Sequence, residues 1–168
     1  MLAPAVTFAD FVLAIHILGA ILGFGITFVY PLFFRAAMRW DPTVLPWLLR
    51  MRQKVGRYFV NTGLTFVVIA GIYLASDEHY WSSFFVAWGI AAALVIGGIE
   101  GAIIIPRSGR LATTAERDLA ATSVPGGGRR SSARWSEEYL SGYRLLAISG
   151  WALQAIVVVT VFLMATHA

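Results

Sequence analysis

Four long runs of apolar residues constrain what this chain of 168 residues can fold into. They cover about residues 9–34, 58–76, 81–105 and 143–167. Each has at least about 18 residues with few charges, which is the length needed to cross about 30 Å of hydrocarbon. One such run also fits a buried helix of a soluble protein, but four are too many for a chain this short. The sequence therefore predicts a single all-α domain, a polytopic four-helix transmembrane bundle.

The composition agrees with this fold class. Charged residues make up 13% of the chain, whereas a soluble domain has about 25%. The chain has no cysteine, which excludes disulfides, thiolate metal sites and cysteine nucleophiles. The N-terminal segment has no basic region before its first apolar run, so we do not interpret it as a removable signal peptide.

The distribution of basic residues predicts the orientation. All 13 lysines and arginines lie in the connections 35–57 and 107–134, except Arg144 at the start of the fourth run. The short connection between the second and third runs carries Asp77, Glu78 and His79 instead. The positive-inside rule then places both long loops in the cytoplasm and both termini outside. We expect a multi-pass protein of the bacterial cytoplasmic (inner) membrane.

The two basic loops differ in character. Residues 42–57 mix leucines with cations, which is typical of an amphipathic segment on anionic lipid headgroups. Residues 107–135 are predicted to form a flexible cytoplasmic loop with a short surface helix, and the third run is expected to stop at Pro106. Ser136 followed by two glutamates resembles a helix N-cap, so the fourth helix is predicted to begin near Glu137. The basic pI does not indicate nucleic-acid binding, because membrane topology already explains the positive charge.

Small residues form stripes on two of the predicted helices. Gly19 and Gly23 share a face with His16 on the first helix, and Gly97 and Gly101 are four residues apart on the third. Such spacings allow close helix packing, either within the bundle or in a homodimer.

Glu100 is the most notable polar residue within the runs. It lies about five residues from the cytoplasmic end, or roughly 8 Å at 1.5 Å per residue. An intramembrane carboxylate is a candidate functional group, or else it needs a partner. The sequence offers Arg144 or Arg57 as ion-pair partners, with Asn61 on the same side of the membrane. A structural ion pair and a proton-relay or substrate-binding role both remain open.

The histidines are the candidate ligands of a cofactor. His16, His79 and His167 are all predicted on the outer side, and Gln154 on the fourth helix is placed to approach His16. Imidazole binds haem iron and transition metals, so haem b or a transition metal is a candidate cofactor. The alternative is a hydrogen-bonded histidine that only packs between helices.

Three segments carry a resemblance to a known group: HILGAILGFGITFVYPL, GLTFVVIAGIYLAS and VVVTVFLMATH. Together they resemble a family of uncharacterised bacterial four-helix integral membrane proteins, a domain of unknown function. More distantly, His16 followed by Gly19, Ala20 and Gly23 is similar to the first helix of copper-resistance D-type proteins and of the four-helix bacterial protoporphyrinogen oxidase. That similarity implies copper or haem-linked chemistry. It extends only to His16, because the further intramembrane polar residues of those families have no counterpart here.

Three functions follow as hypotheses. The chain has no Ser/His/Asp arrangement, no HExxH motif and no paired carboxylates, which favours a non-enzymatic scaffold or accessory subunit. The second hypothesis is a haem- or metal-binding redox protein using His16. The third is a proton-coupled carrier using Glu100, which with four spans would need to dimerise because carriers usually have more helices.

Overall fold

The structure is a computed structural model that describes residues 6–122 and 134–167. Nearly all of this part of the chain is helical. The α-helices are α1 (Phe8–Trp40), α2 (Leu45–Val55), α3 (Asn61–Asp77), α4 (Phe84–Gly98), α5 (Ile105–Thr122) and α6 (Glu137–His167). A π-helical segment, Gly56–Val60, joins α2 to α3, and a second, Ile99–Ile104, joins α4 to α5. Short 3₁₀ turns lie at Pro42–Val44 and Tyr80–Ser82.

Four helical stretches are long and apolar enough to cross a membrane. They are α1, the continuous stretch Pro42–Asp77, the continuous stretch Phe84–Thr122, and α6 as far as Thr166. The prediction of an all-α protein with four spans is confirmed at this level. With 30 to 39 residues each, the stretches measure about 45–60 Å at 1.5 Å per residue, well beyond the hydrocarbon thickness of about 30 Å.

The bundle therefore has two distinct ends. At the terminal end, α1 begins and α6 finishes, and α3 turns into α4. At the opposite end, which we call the basic end, α1 finishes, α2 and α6 begin, and α5 finishes. All the lysines and arginines that the structure describes belong to the segments of this end.

The helix that carries the third apolar run continues beyond Pro106, where the sequence led us to expect its end; where the membrane-crossing part ends stays a prediction. The π-helical segment finishes at Ile104, and Pro106 is the second residue of α5. A proline in an α-helix clashes with the carbonyl four residues earlier. The wider π-helical turn just before Pro106 leaves room for the ring. Residues 105–122 consequently form a long helix where the sequence predicted mostly loop, while residues 123–133 lie outside the described residues.

Glycines let α1 and α3 pack with their backbones in contact. A Cβ atom built on Gly63 of α3 would lie 2.5 Å from Cα of Gly23 and 2.8 Å from the carbonyl oxygen of Gly19. The predicted packing stripe on the first helix is thus occupied by α3. Gly97 packs against Leu64, whereas a Cβ on Gly101 would meet open space. A homodimer contact at Gly101 stays a prediction.

The largest apolar contacts are concentrated at the basic end. Leu45 and Leu49 of α2 are 0% exposed, and α2 packs mainly against α5, whose Ala112 and Ala115 are also fully buried. The buried leucines of residues 42–57 thus pack on α5, and contact of this basic segment with lipid headgroups stays a prediction. The leucines are buried because α5 is also amphipathic, so the two apolar faces cover each other.

Polar contacts connect the helices of the basic end. Arg50 of α2 is paired with Glu116 of α5 at 2.7 Å, and Arg117 with Glu138 of α6 at 2.6 Å. Both pairs are exposed, and such pairs stabilise a fold by about 0–1 kcal/mol.

A polar clasp joins the end of α5 to the start of α6. Asp118 accepts hydrogen bonds from the backbone N–H and the hydroxyl of Ser136, at 2.9 and 2.8 Å. The hydroxyl oxygen of Ser136 in turn accepts from the N–H of Tyr139 at 3.2 Å. The predicted N-cap and the start of the helix at Glu137 are confirmed.

Candidate functional site: a buried arginine and glutamate

Two ionisable side chains are buried where the basic end meets the apolar spans. Glu100 is 3% exposed and Arg52 is 7% exposed. Arg52 lies in α2, and Glu100 lies in the π-helical segment between α4 and α5. The charge of each acts on the other. We call these two residues, with the groups that contact them, the Arg52–Glu100 site.

Glu100 lies against a glycine of the neighbouring span. A methyl group built on Gly56 would collide with the carboxylate oxygen Oε1 of Glu100. Gly56 is the first residue of the other π-helical segment, so the two π-helical segments face each other at the carboxylate. Because π-helical turns are uncommon and often occur at functional sites, two of them facing each other make this level of the bundle a candidate functional site.

Aromatic rings and a glycine surround Arg52. Its guanidinium carbon lies 5.1 Å from the ring centroid of Tyr30 and 5.8 Å from that of Phe34, both in α1. A Cβ atom on Gly150 of α6 would lie 3.3 Å from a terminal guanidinium nitrogen. Cation–π contacts of this kind stabilise a desolvated arginine by about 2 kcal/mol, but they use none of its five N–H donors.

The polar atoms of the site are largely unpaired. Among the residues that the structure describes, no hydrogen bond or ion pair within 4.0 Å joins Arg52 or Glu100 to each other or to another side chain. The hydroxyl of Tyr30 is buried and also lacks a hydrogen-bond partner. Buried polar groups are nearly always hydrogen-bonded, because leaving one unpaired is costly. The guanidinium, the carboxylate and the Tyr30 hydroxyl therefore have donors and acceptors that no described side chain occupies.

The predicted ion-pair partners of Glu100 lie elsewhere. The side chains of Arg57 and Arg144 are exposed, and Arg52 is the cation whose charge acts on Glu100. The physical reason is the helix face. Arg52 precedes Gly56 by one helical turn, so both lie on the side of the second span that faces the carboxylate. Arg57 is the next residue along and points away from it.

Arg52 was missed among the sequence candidates, although the sequence carries its signal. Leu45, Leu48, Leu49 and Arg52 have the spacing i, i+3, i+4, i+7, which places the arginine on the apolar face of α2. All four side chains are buried. A cation on the apolar face of an amphipathic helix indicates a buried charge, and Gly56 four residues later indicates the room for its partner.

Gln154 bonds to α1 beside Pro31 rather than to His16. Pro31 has no N–H, so the carbonyl oxygen of Thr27 four residues earlier receives no hydrogen bond from it. The side-chain N–H of Gln154 donates to this oxygen at 2.8 Å. Gln154 thus ties α6 to α1 next to Tyr30, and it satisfies a carbonyl that would otherwise be unpaired in the membrane.

His16 bonds to α3. Its Nδ1 lies 2.9 Å from the carbonyl oxygen of Val67, and its ring rests on Gly71. Since a carbonyl can only accept, Nδ1 donates, and the lone pair of a neutral ring is then on Nε2. The other candidates do not join it. His79 is exposed in the turn between α3 and α4 at a left-handed φ of 58°, and the side chain of His167 lies outside the described residues.

Asn61 and the possible metal ligands are the remaining candidates from the sequence. The side chain of Asn61 is exposed on the surface of α3, away from the Arg52–Glu100 site. Among the described residues no group of three or more histidines, aspartates and glutamates is arranged to hold a metal ion.

These helices and this site define a four-span multi-pass membrane protein with a buried, charged site near one end of the bundle. Comparison of the chain with protein-family models, curated proteins and solved structures found no match in any of the three. The resemblance to bacterial four-helix membrane proteins therefore stays a prediction from the sequence.

Proposed function

We propose that this protein is a small membrane carrier in which the Arg52–Glu100 site binds an ionic solute together with a proton. One observation supports this above all: the two buried ionisable groups are not closed by hydrogen bonds to described residues. A purely structural buried ion pair offsets its desolvation only with good geometry and further hydrogen bonds. An open pair is instead suited to exchanging its partner for a ligand.

The backbone around the site supports the same class of function. Three of the four spans are irregular at this level: α1 at Pro31, the second span at Gly56–Val60 and the third at Ile99–Ile104. These spans stay helical throughout, but a proline and two π-helical segments change their backbone hydrogen bonding, and carrier sites often lie where backbone groups are released from regular helical bonding. Glu100 would carry the proton, and Arg52 would bind the negative charge of the solute.

Proton flux in proteoliposomes tests this proposal. With phosphate, succinate or hexadecanesulfonate added only outside and a pH-sensitive dye inside, wild-type protein should accelerate the proton entry that accompanies movement of the anion down its inward gradient. Glu100→Gln should lower that flux at least tenfold, because the amide cannot take up a proton. Glu116→Gln is the matched control, since Glu116 is an exposed glutamate whose loss should leave the flux unchanged.

Two further variants separate transport from folding. Glu100→Asp keeps the carboxylate and should retain measurable flux. Exchanging the charges, with Arg52→Glu and Glu100→Arg in one chain, preserves the pair but not its geometry, and should fold without restoring flux. Equal flux in wild type, Glu100→Gln and protein-free liposomes would remove the carrier proposal and leave the accessory-subunit hypothesis.

Haem ligation by His16 is the second candidate function. Metal-binding histidines commonly donate one ring N–H to a backbone carbonyl, which orients the ring and leaves the other nitrogen for the metal. The bond from Nδ1 to Val67 has this form. Nε2 of His16 would hold the haem iron, and among the described residues no group of three or more metal-binding side chains would hold a transition metal. A Soret band after haem reconstitution that is lost in His16→Ala would support it; its absence in the wild type would refute it.

A further inference from the structure

An apolar groove lies beside the Arg52–Glu100 site. It has a volume of about 400 Å³ and runs between α1 and α2 at the basic end. Its lining includes Tyr30, Phe33 and Ala36 of α1 and Trp47, Leu48 and Met51 from the α2 side. The volume is within the range of about 300–1,000 Å³ found for small-molecule sites. Several lining side chains, including Phe33 and Met51, are exposed, so a ligand can enter from the surrounding lipid.

The groove and the charged site share a wall. Tyr30 lines the groove, and its ring also contacts the guanidinium of Arg52. Met51 of the groove directly precedes Arg52 in the chain. The Tyr30 ring separates the two features, so a ligand with one charged group and one apolar chain would contact both at once when this ring turns aside.

We infer that the solute of this site is a single-chain carboxylate amphiphile, a long-chain fatty acid, whose carboxylate binds Arg52 and whose chain lies in the α1–α2 groove. This inference rests on the proposed carrier function and names its substrate class. A carboxylate accepts two parallel N–H bonds from a guanidinium, and the hydroxyl of Tyr30 supplies another donor. Gly56 and Gly150 let the Glu100 carboxylate and the Arg52 guanidinium lie close to the backbones of the second span and α6, and a single chain fits a groove of this volume better than a phospholipid with its glycerol and second chain.

Charge balance connects this ligand to Glu100. An anion bound to Arg52 takes over the role of the Glu100 charge. The bound anion and the Glu100 carboxylate would then be two negative groups beside one positive group, Arg52, in the membrane. Uptake of a proton by Glu100 removes the excess. The other titratable groups coupled to the pair are the phenols of Tyr30 of α1 and Tyr143 of α6, and these carry no charge near pH 7. Each fatty acid anion should therefore bind with one proton.

Photolabelling tests the inference on the full chain in phosphatidylcholine nanodiscs. The probe is palmitate with a diazirine on its chain, and labelled peptides are identified by mass spectrometry. Labels should concentrate in residues 30–51, and unlabelled palmitate should remove them while its methyl ester does not. Ala36→Phe, which fills the groove, should lower this labelling at least tenfold. Ala152→Phe, on the exposed side of α6, is the matched control and should not.

Arginine variants and a second probe test the head-group contact. Arg52→Gln should abolish the competition by palmitate, and Arg52→Lys should weaken it because lysine keeps the charge but not the paired donors. Hexadecanesulfonate stays charged at all relevant pH values, so any pH dependence of its competition comes from the protein. We expect this competition to strengthen as the pH falls. Glu100→Gln should remove that pH dependence.

The outcomes separate the inference from the carrier proposal. Equal labelling of all lipid-facing helices, undiminished labelling in Ala36→Phe, or equal labelling by a diazirine phospholipid would overturn the fatty acid inference. If the flux in Glu100→Gln is nevertheless lost, the carrier proposal stands with a different solute. If groove labelling behaves as expected but Glu100→Gln has normal flux, the protein binds fatty acids without the proposed proton step.

Discussion

Pro31 changes the hydrogen bonding of residues before it and of a residue on another helix. The carbonyl oxygen of Thr27 has no backbone donor at position 31, and Gln154 supplies one from α6. Such a bond between membrane helices contributes about 0.6–2 kcal/mol. It also ties α6 to the part of α1 that carries Tyr30, which belongs to the charged site and to the groove.

Replacing the Gln154 amide should destabilise the bundle, and the size of this effect should depend on Pro31. Gln154→Leu should lower the free energy of unfolding by about 0.6–2 kcal/mol, measured by denaturant titration in micelles. In a Pro31→Ala background the new N–H at position 31 serves the Thr27 carbonyl, so the same change should have a smaller effect. Asn61→Leu, which replaces an exposed amide, is the control. An equal loss in both backgrounds would contradict the pairing.

At the level of helices, the packing of α1 on α3 depends on glycine rather than on large side chains. The contact is between backbones at Gly19, Gly23 and Gly63, as expected inside a membrane, where burial of apolar surface gives no driving force between helices. At the basic end, leucines and aromatic side chains form the core instead. The two ends of one bundle therefore use different means of packing.

A single methyl group at this contact should separate α1 from α3. Gly63→Ala places a Cβ 2.5 Å from Cα of Gly23, and overpacking of this kind costs about 1–3 kcal/mol. Gly98→Ala is the control because its Cβ would meet open space. It should be neutral or raise stability by up to about 1 kcal/mol through helix propensity. Similar destabilisation by both changes in the same titration would show that the contact is not specific.

The success of the sequence predictions differed between spans and sites for a physical reason. Hydropathy over about 18 residues identifies a span regardless of its neighbours, so all four spans were found. Whether the chain stays helical past Pro106 depends on a local π-helical turn, and the sequence composition does not predict such a turn. The partner of Glu100 depends on which face of α2 is covered by α5, and that is a tertiary contact. Arg52 therefore needed the structure, although its position on the apolar face was readable.

For the whole molecule, orientation is the property on which the function depends most. The Arg52–Glu100 site and the groove both lie at the basic end, and the positive-inside rule places that end in the cytoplasm. If this orientation holds, a ligand reaches the site from the cytoplasmic leaflet.

Single cysteines can test the orientation, because the natural chain has none. Glu78→Cys lies in the connection at the terminal end and Thr113→Cys lies on α5, both at exposed positions. A membrane-impermeant maleimide added to intact spheroplasts should label Glu78→Cys at once and Thr113→Cys only after permeabilisation. The reverse labelling pattern would contradict the predicted topology. Labelling of both positions before permeabilisation would mean that the membranes leak, which a cytoplasmic marker tests. The unmodified chain controls for labelling that does not need a cysteine.

The clasp between Asp118 and Ser136 has a consequence for engineering and for evolutionary change. Because these two residues hold the end of α5 against the start of α6, the register of the two helices does not depend on the length of chain between them. Insertion of a fluorescent protein or a purification module between residues 122 and 134 should therefore leave the bundle intact. The same independence would allow this stretch to gain and lose residues freely among descendants while the bundle stays unchanged.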